Sequence, residues 1–142
     1  MLVEPIDTKD KNIVFVYTTC ASRTEARSMA ESVISERLAV CVDFWDVESV
    51  YPWQGVVQDV NQCMALFTTQ KAKAIKLMKF IESIHSYTVP VIAECDVNIA
   101  TQAYKFWIEE TLESNQDYLS IQEAIESEKR EEDAKNGIEK LK

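Results

Sequence analysis

Two stretches of this chain repeat their apolar residues at steps of three and four, and each is bracketed by runs too short and too β-branched to be helices. In "CASRTEARSMAESVISERLAV", Ala26, Met29, Ala30, Val33, Ile34 and Leu38 mark one face of a helix. Ser22, with Glu25 three residues on, fits a capping box at its start. In "KAKAIKLMKFIESIH", Ile75, Leu77, Met78, Ile81 and Ile84 form the inward face, while Lys71, Lys73, Lys76 and Lys79 stay in water. The brackets are strand-like. "NIVFVYTT" precedes the first helix, and "CVDFWDVESVYPW" follows it as extended chain, with Pro52 tolerable only near a strand end or edge. "QGVVQDVNQ" reads as a turn region around Gly55, and "CMALFTTQ" as another apolar strand. After the second helix, "SYTVP" leads into the strand "VIAECDVN", because proline holds the residue before it in extended conformations.

The resulting order, β-α-β-β-α-β, is the split βαβ or ferredoxin-like pattern, an α+β class. It predicts an antiparallel sheet with two helices on one face. The other face has no helix from this core, and "CVDFWDV" and "CMALFTT" are too apolar to stay wet. Another subunit or the C-terminal helices must therefore cover it. A further helix starts near Thr101 and carries Tyr104, Trp107 and Ile108. Residues 1–115 form the domain, and 116–142 a helical, acidic, partly solvated extension. Its first turns pack through Tyr118, Leu119, Ile121 and Ile125, and the Asn136–Gly137 pair interrupts the helix before the terminus.

Length and charge narrow the function classes. At 142 residues one domain is expected, and a net charge of −9 argues against a nucleic-acid partner, whose phosphates call for a surplus of Lys and Arg. No apolar run approaches the ~20 residues that span a bilayer, and "MLVEPIDTKDKN" lacks the features of a signal peptide. The expected setting is a reducing cytoplasm. Cys41, Cys63 and Cys95 sit in apolar runs and are expected as core thiols, whereas Cys20 lies at a strand end beside a turn. There is no CxxC pair, and the single histidine cannot complete a finger-type zinc set.

The blocks "TEARSMAESVISERLAVCV", "SVYPWQG" and "HSYTVP", followed by the aromatic pair of "AYKFWI", resemble the CutA divalent-cation-tolerance family over residues 12–112. The resemblance implies a ferredoxin-like homotrimer with long β-hairpins extending between neighbouring sheets, and a role in tolerance of copper and other divalent cations. It implies binding or scaffolding rather than catalysis. It also places Trp53, His85 and Tyr87 at an inter-subunit cleft. Several positions depart from the family pattern. Val91 stands where a metal-binding glutamate is usual, Gln62 replaces a hairpin glutamate, and Thr68 replaces a lysine. Tyr17 occupies the place of a proposed cysteine ligand, with Cys20 three residues beyond it. The segment between Cys41 and Trp53 is one residue shorter than usual.

Two readings stand for His85. As a neutral imidazole it suits Cu²⁺ or another divalent cation, bound weakly with Glu82 and Glu94, the first three residues before it on one helix face. Cys95 and Asp96 are nearby alternatives. Alternatively, its side chain closes a helix C-terminus by meeting free carbonyls. Tyr104 and Trp107, three residues apart, suit core or interface packing over a ligand pocket. An enzyme reading is disfavoured, since there is no nucleophile elbow, phosphate loop or HExxH. A Cys20–His85 dyad needs the fold to bring the two together, with a helix N-terminus lowering the thiol's pKa. A different class of function is a signalling module that binds a small anion or nucleotide-like ligand in the cleft.

Overall fold

The computed structural model describes residues 12–114 and 116–140. Strand β1 (Ile13–Cys20) leads to helix α1 (Arg23–Ser35), and β2 (Cys41–Trp53) and β3 (Val56–Gln70) form a hairpin. A single 3-10 turn (Lys71–Lys73) opens α2 (Ala74–Ile84), followed by β4 (Ile92–Asp96), α3 (Gln102–Glu113) and α4 (Ile121–Lys140). The sheet order is β2-β3-β1-β4 with every neighbour antiparallel, which is the expected ferredoxin-like α+β arrangement. Readings of the first eleven residues lie outside the described residues.

Alternation along β1 divides the molecule into two layers. Val16 and Cys20 face α1 and α2, in a core with Met29, Val33, Phe67, Leu77 and Ile81. Ile13 points to the opposite face, where α3 lays Ile108 and Leu112 against it, with Cys41 alongside. α3 thus covers one end of the second face. The end built from the hairpin stays open, with Trp45 44%, Tyr51 37% and Trp53 47% exposed.

The structure corrects five sequence readings. Only Gln54 and Gly55 of the supposed turn region are a turn, both at positive φ (50° and 80°), as a tight two-residue hairpin requires. Val56 onward pairs with β2 from Trp53↔Val56 down to Cys41↔Thr68. The polar residues there decorate a strand that projects into solvent, and Pro52 is tolerated because β2 is an edge strand. On α2 the buried stripe is Ala74, Leu77 and Ile81, so Ile75, about 100° round the helix from Ala74, is exposed, as is Ile84.

Lys73 is not a solvated lysine. Its Nζ donates to Arg37 O at 2.8 Å and Leu112 O at 3.4 Å, placing a cation at the α3 C-terminus, and burial pushes its pKa down. Helix α4 runs unbroken through Asn136–Gly137, because a glycine costs a helix only about 0.5–1 kcal/mol relative to alanine. Of the four free thiols, Cys20 and Cys63 are buried and Cys41 is half-buried, but Cys95 is exposed on the edge strand β4. Among the described residues no helix is long and apolar enough to cross a membrane.

Candidate functional site

The segment from His85 to Pro90 is a latch between α2 and the sheet. His85 ends α2 with an extended backbone (φ −75°, ψ 138°), and its imidazole does not cap α2 but reaches across to the end of β1. The ring is fully buried. Nδ1 accepts the Tyr87 N–H at 3.1 Å, so the ring proton lies on Nε2, which donates to Thr19 O at 3.0 Å. Thr18 Oγ1 is also 3.0 Å from Nε2 and donates its own proton to Val91 O at 2.6 Å. These bonds tie the end of β1 to the approach of β4.

Two further side chains converge on His85. Cys20 Sγ, a Glu25 carboxylate oxygen and a His85 ring nitrogen all lie within 4.8 Å of one another, and Glu25 Oε1 is 3.7 Å from Nδ1. Local structure explains the meeting. Cys20 ends β1 on its helix-facing side, and Ser22 caps α1 by accepting the Glu25 N–H at 3.2 Å, which sets Glu25 on the first turn. The expected capping box is only half formed. Instead of returning to Ser22, the Glu25 carboxylate accepts from Ser86 Oγ through Oε2, while buried Oε1 has no hydrogen-bond partner.

Electrostatics around Cys20 run opposite to the sequence expectation. Burial first, then the Glu25 carboxylate and the Cys63 thiol, push its pKa up to about 12. Cys20 and His85 do meet, with Glu25 as a third group. The thiol is nonetheless protonated and has no exposed surface, the reverse of an activated nucleophile.

The other sequence candidates lie elsewhere. Glu94 is ion-paired with Lys71 at 2.7 Å, and Asp96 reaches the same ammonium at 3.5 Å. Glu82 is exposed on α2 and meets His85 only through its backbone carbonyl, which accepts the His85 N–H at 3.4 Å. Neither carboxylate belongs to the cluster of three, the one such group among the described residues. Trp53 and Tyr87 line a cavity of about 690 Å³ on the open face, with Tyr51, Gln62 and Val91; His85 sits behind its wall. Tyr87 donates to Gln62 Oε1 at 2.9 Å, so the residue standing for a family glutamate anchors the latch. Thr68 is buried on the α3 side of the sheet and Tyr17 is half-buried. Tyr104 packs into the second core, and its ring centroid is 5.6 Å from that of Trp107, which stays 45% exposed.

Sequence reasoning missed Glu25 as a partner of His85, taking it only for a cap. The available signal was its position: Cys20 and Glu25 flank the Ser22 cap at the turn where strand becomes helix.

Comparison with known proteins bears on the whole domain. The family profile described as "CutA1 divalent ion tolerance protein" matches residues 14–111. A divalent-cation tolerance protein CutA of Thermus thermophilus is 32% identical over 96 residues, covering 67% of this chain and 93% of the relative. Among solved structures, the "Periplasmic divalent cation tolerance protein CutA" of Archaeoglobus fulgidus superposes with a TM-score of 0.69 at 27% identity, over 71% of this chain and 99% of that one. CutA1 of Oryza sativa gives 0.68 at 28% identity, over 70% and 93%.

Proposed function

Since the chain belongs to the CutA1 divalent ion tolerance protein family, we propose that it works as a homotrimeric divalent-cation-binding or scaffold protein in metal tolerance, not as a catalyst. Copper is the first ion to test, with other divalent cations as alternatives. The observation that carries the reading is the projecting β2–β3 hairpin, whose open face presents Trp45, Tyr51 and Trp53. Aromatics half out of water on one sheet face form a self-complementary surface, and a closed ring of copies buries it. Four free cysteines, two of them buried, suit a reducing compartment such as the cytoplasm. Light scattering on the purified chain should give three times the 16.3 kDa chain mass; a monomer at micromolar concentration would remove the trimer. Copper titration of wild type should saturate with defined stoichiometry, and wholly non-saturating binding would remove the metal role.

A second reading is favoured by the cavity beside Tyr51, Trp53 and Tyr87. A small ligand in such an aromatic cleft would make the protein a signalling module. Among the described residues no cationic side chain lines it, so an anionic or nucleotide-like ligand would take its countercharge from a neighbouring subunit. A thermal-shift screen of nucleotides against metals separates the two readings, because a ligand bound only by the folded state raises apparent stability.

A further inference from the structure

We propose that Cys20, Glu25 and His85 form a site for a zinc-class divalent cation, bound within one chain by a thiolate, a carboxylate and an imidazole, with the fourth position open toward Ser86. The inference rests on the divalent-cation reading above, but does not require the trimer.

The argument starts from the electron pairs. Nδ1 of His85 carries a lone pair, because the Tyr87 N–H bonds to it and the ring proton is on Nε2. Glu25 Oε1 is buried with no hydrogen-bond partner, so not even the Cys20 thiol bonds to it. A buried carboxylate oxygen without a donor is costly and calls for a cation or a proton. The third vertex is sulfur, within 4.8 Å of a Glu25 carboxylate oxygen and a His85 ring nitrogen. Three electron-pair donors of different softness thus lie within ligand-sharing distance of one another.

Distance and ligand type select the ion. Zinc bonds of about 2.0–2.3 Å put tetrahedral ligand pairs about 3.3–3.7 Å apart. The Oε1–Nδ1 pair is 3.7 Å apart, and the sulfur has to close in from within 4.8 Å. Calcium and magnesium need six or more oxygens and no sulfur. The bonds that would hold the ligands in place already exist: Nε2–H donates to Thr19 O, which fixes the ring as metal-ligating histidines are fixed, and Ser86 Oγ holds the other Glu25 oxygen.

Binding is balanced simply. The metal–sulfur bond forms as the Cys20 S–H proton leaves to solvent, and the Nδ1 lone pair passes from the Tyr87 N–H to the metal. The lost backbone bond lies at the exposed Ser86 turn, which also supplies the entry path, because Glu25 has the one side chain of the trio that reaches the surface. The site differs from the open-face cavity. Cys20 lies in register with the helix-facing residues of β1, on the other side of the sheet from Trp53 and Gln62.

Cobalt(II) is the probe, since it replaces zinc and reports its ligands by colour. Co²⁺ is titrated into wild type, Cys20→Ser, Glu25→Gln and Glu82→Gln under a non-coordinating reductant, followed by Zn²⁺ displacement, with melting curves for each variant. Wild type should take one ion per chain and show a thiolate-to-cobalt charge-transfer band with intense tetrahedral visible bands, both erased by Zn²⁺. Cys20→Ser should lose the charge-transfer band, and Glu25→Gln should keep it while binding roughly tenfold more weakly or worse. Glu82→Gln should match wild type. Cobalt bound without the thiolate band, or unaffected by either Cys20→Ser or Glu25→Gln in folded protein, would overturn the site and leave the divalent-cation reading standing. No binding of cobalt, zinc or copper by wild type would overturn both.

Discussion

At the scale of single residues, the sole histidine is a structural member first: its ring holds the end of β1 through Thr19 and the following turn through Tyr87. Tyr87→Phe should remove the hydroxyl bond to Gln62 and lower stability by about 0.5–1.5 kcal/mol, measured by urea unfolding. The thiols should separate by environment. With its pKa pushed up to about 12, Cys20 should alkylate far more slowly near neutral pH than exposed Cys95, as mass spectrometry of time-stopped iodoacetamide reactions would show. Alkylation of Cys20 at the rate of a free thiol would contradict its burial. The sign for stability follows from the raised value. The buried neutral thiol stabilises the fold fully below the unfolded thiol pKa of about 8.5, and that contribution is lost as pH climbs toward about 12.

At the scale of elements, the two helix starts make a controlled pair. α1 has half a capping box, so Ser22→Ala should cost about 1 kcal/mol in thermal or denaturant unfolding. α4 has the whole box: Ser120 Oγ accepts the Glu123 N–H at 3.2 Å, and Glu123 Oε2 accepts the Ser120 N–H at 2.8 Å. Those bonds hold the Glu123 carboxyl below its usual range. The stabilisation of this helix start is therefore present above the unfolded glutamate pKa near 4.3 and lost as pH falls through the lower folded value. The protection of the Ser120 and Glu123 amides against exchange, relative to their intrinsic rates, should fall only in acid. Elements of this kind were legible in the sequence because their signals are local. The 3.6-residue stripes gave α1 and α2, and the β-branched runs gave β1 and the end of β3. The far half of the hairpin was not legible. Gln58, Asp59 and Asn61 are polar because their strand projects from the body, and local composition cannot separate that from a loop. The meeting of Glu25 with His85 was illegible for a similar reason, since it joins positions 60 residues apart through a register that only the folded sheet supplies.

At the scale of the whole molecule, the two sheet faces have unequal cover, and this makes the assembly testable. α1 and α2 close one face over the body of the sheet, whereas α3 seals only the Ile13 end of the other. The remainder, around Trp45, Tyr51 and Trp53, is contributed by a hairpin with little of its own chain to rest on. If copies of the chain bury this surface, its aromatics should act as interface anchors, where truncation typically costs about 2 kcal/mol or more. Trp45 and Trp53 are each nearly half exposed in the single chain, so substitution there should spare the fold of the isolated subunit. We therefore expect Trp53→Glu, and more strongly Trp45→Glu with Trp53→Glu, to shift the light-scattering mass toward 16.3 kDa while far-UV circular dichroism keeps its shape. Deleting residues 120–142 gives the complementary result, because α4 has few contacts with the sheet and lies outside the family match. That truncation should leave both the assembly and the melting temperature of the domain nearly unchanged. Loss of assembly on truncation, with both tryptophan variants still intact oligomers, would move the interface from the hairpin to the C-terminal helix.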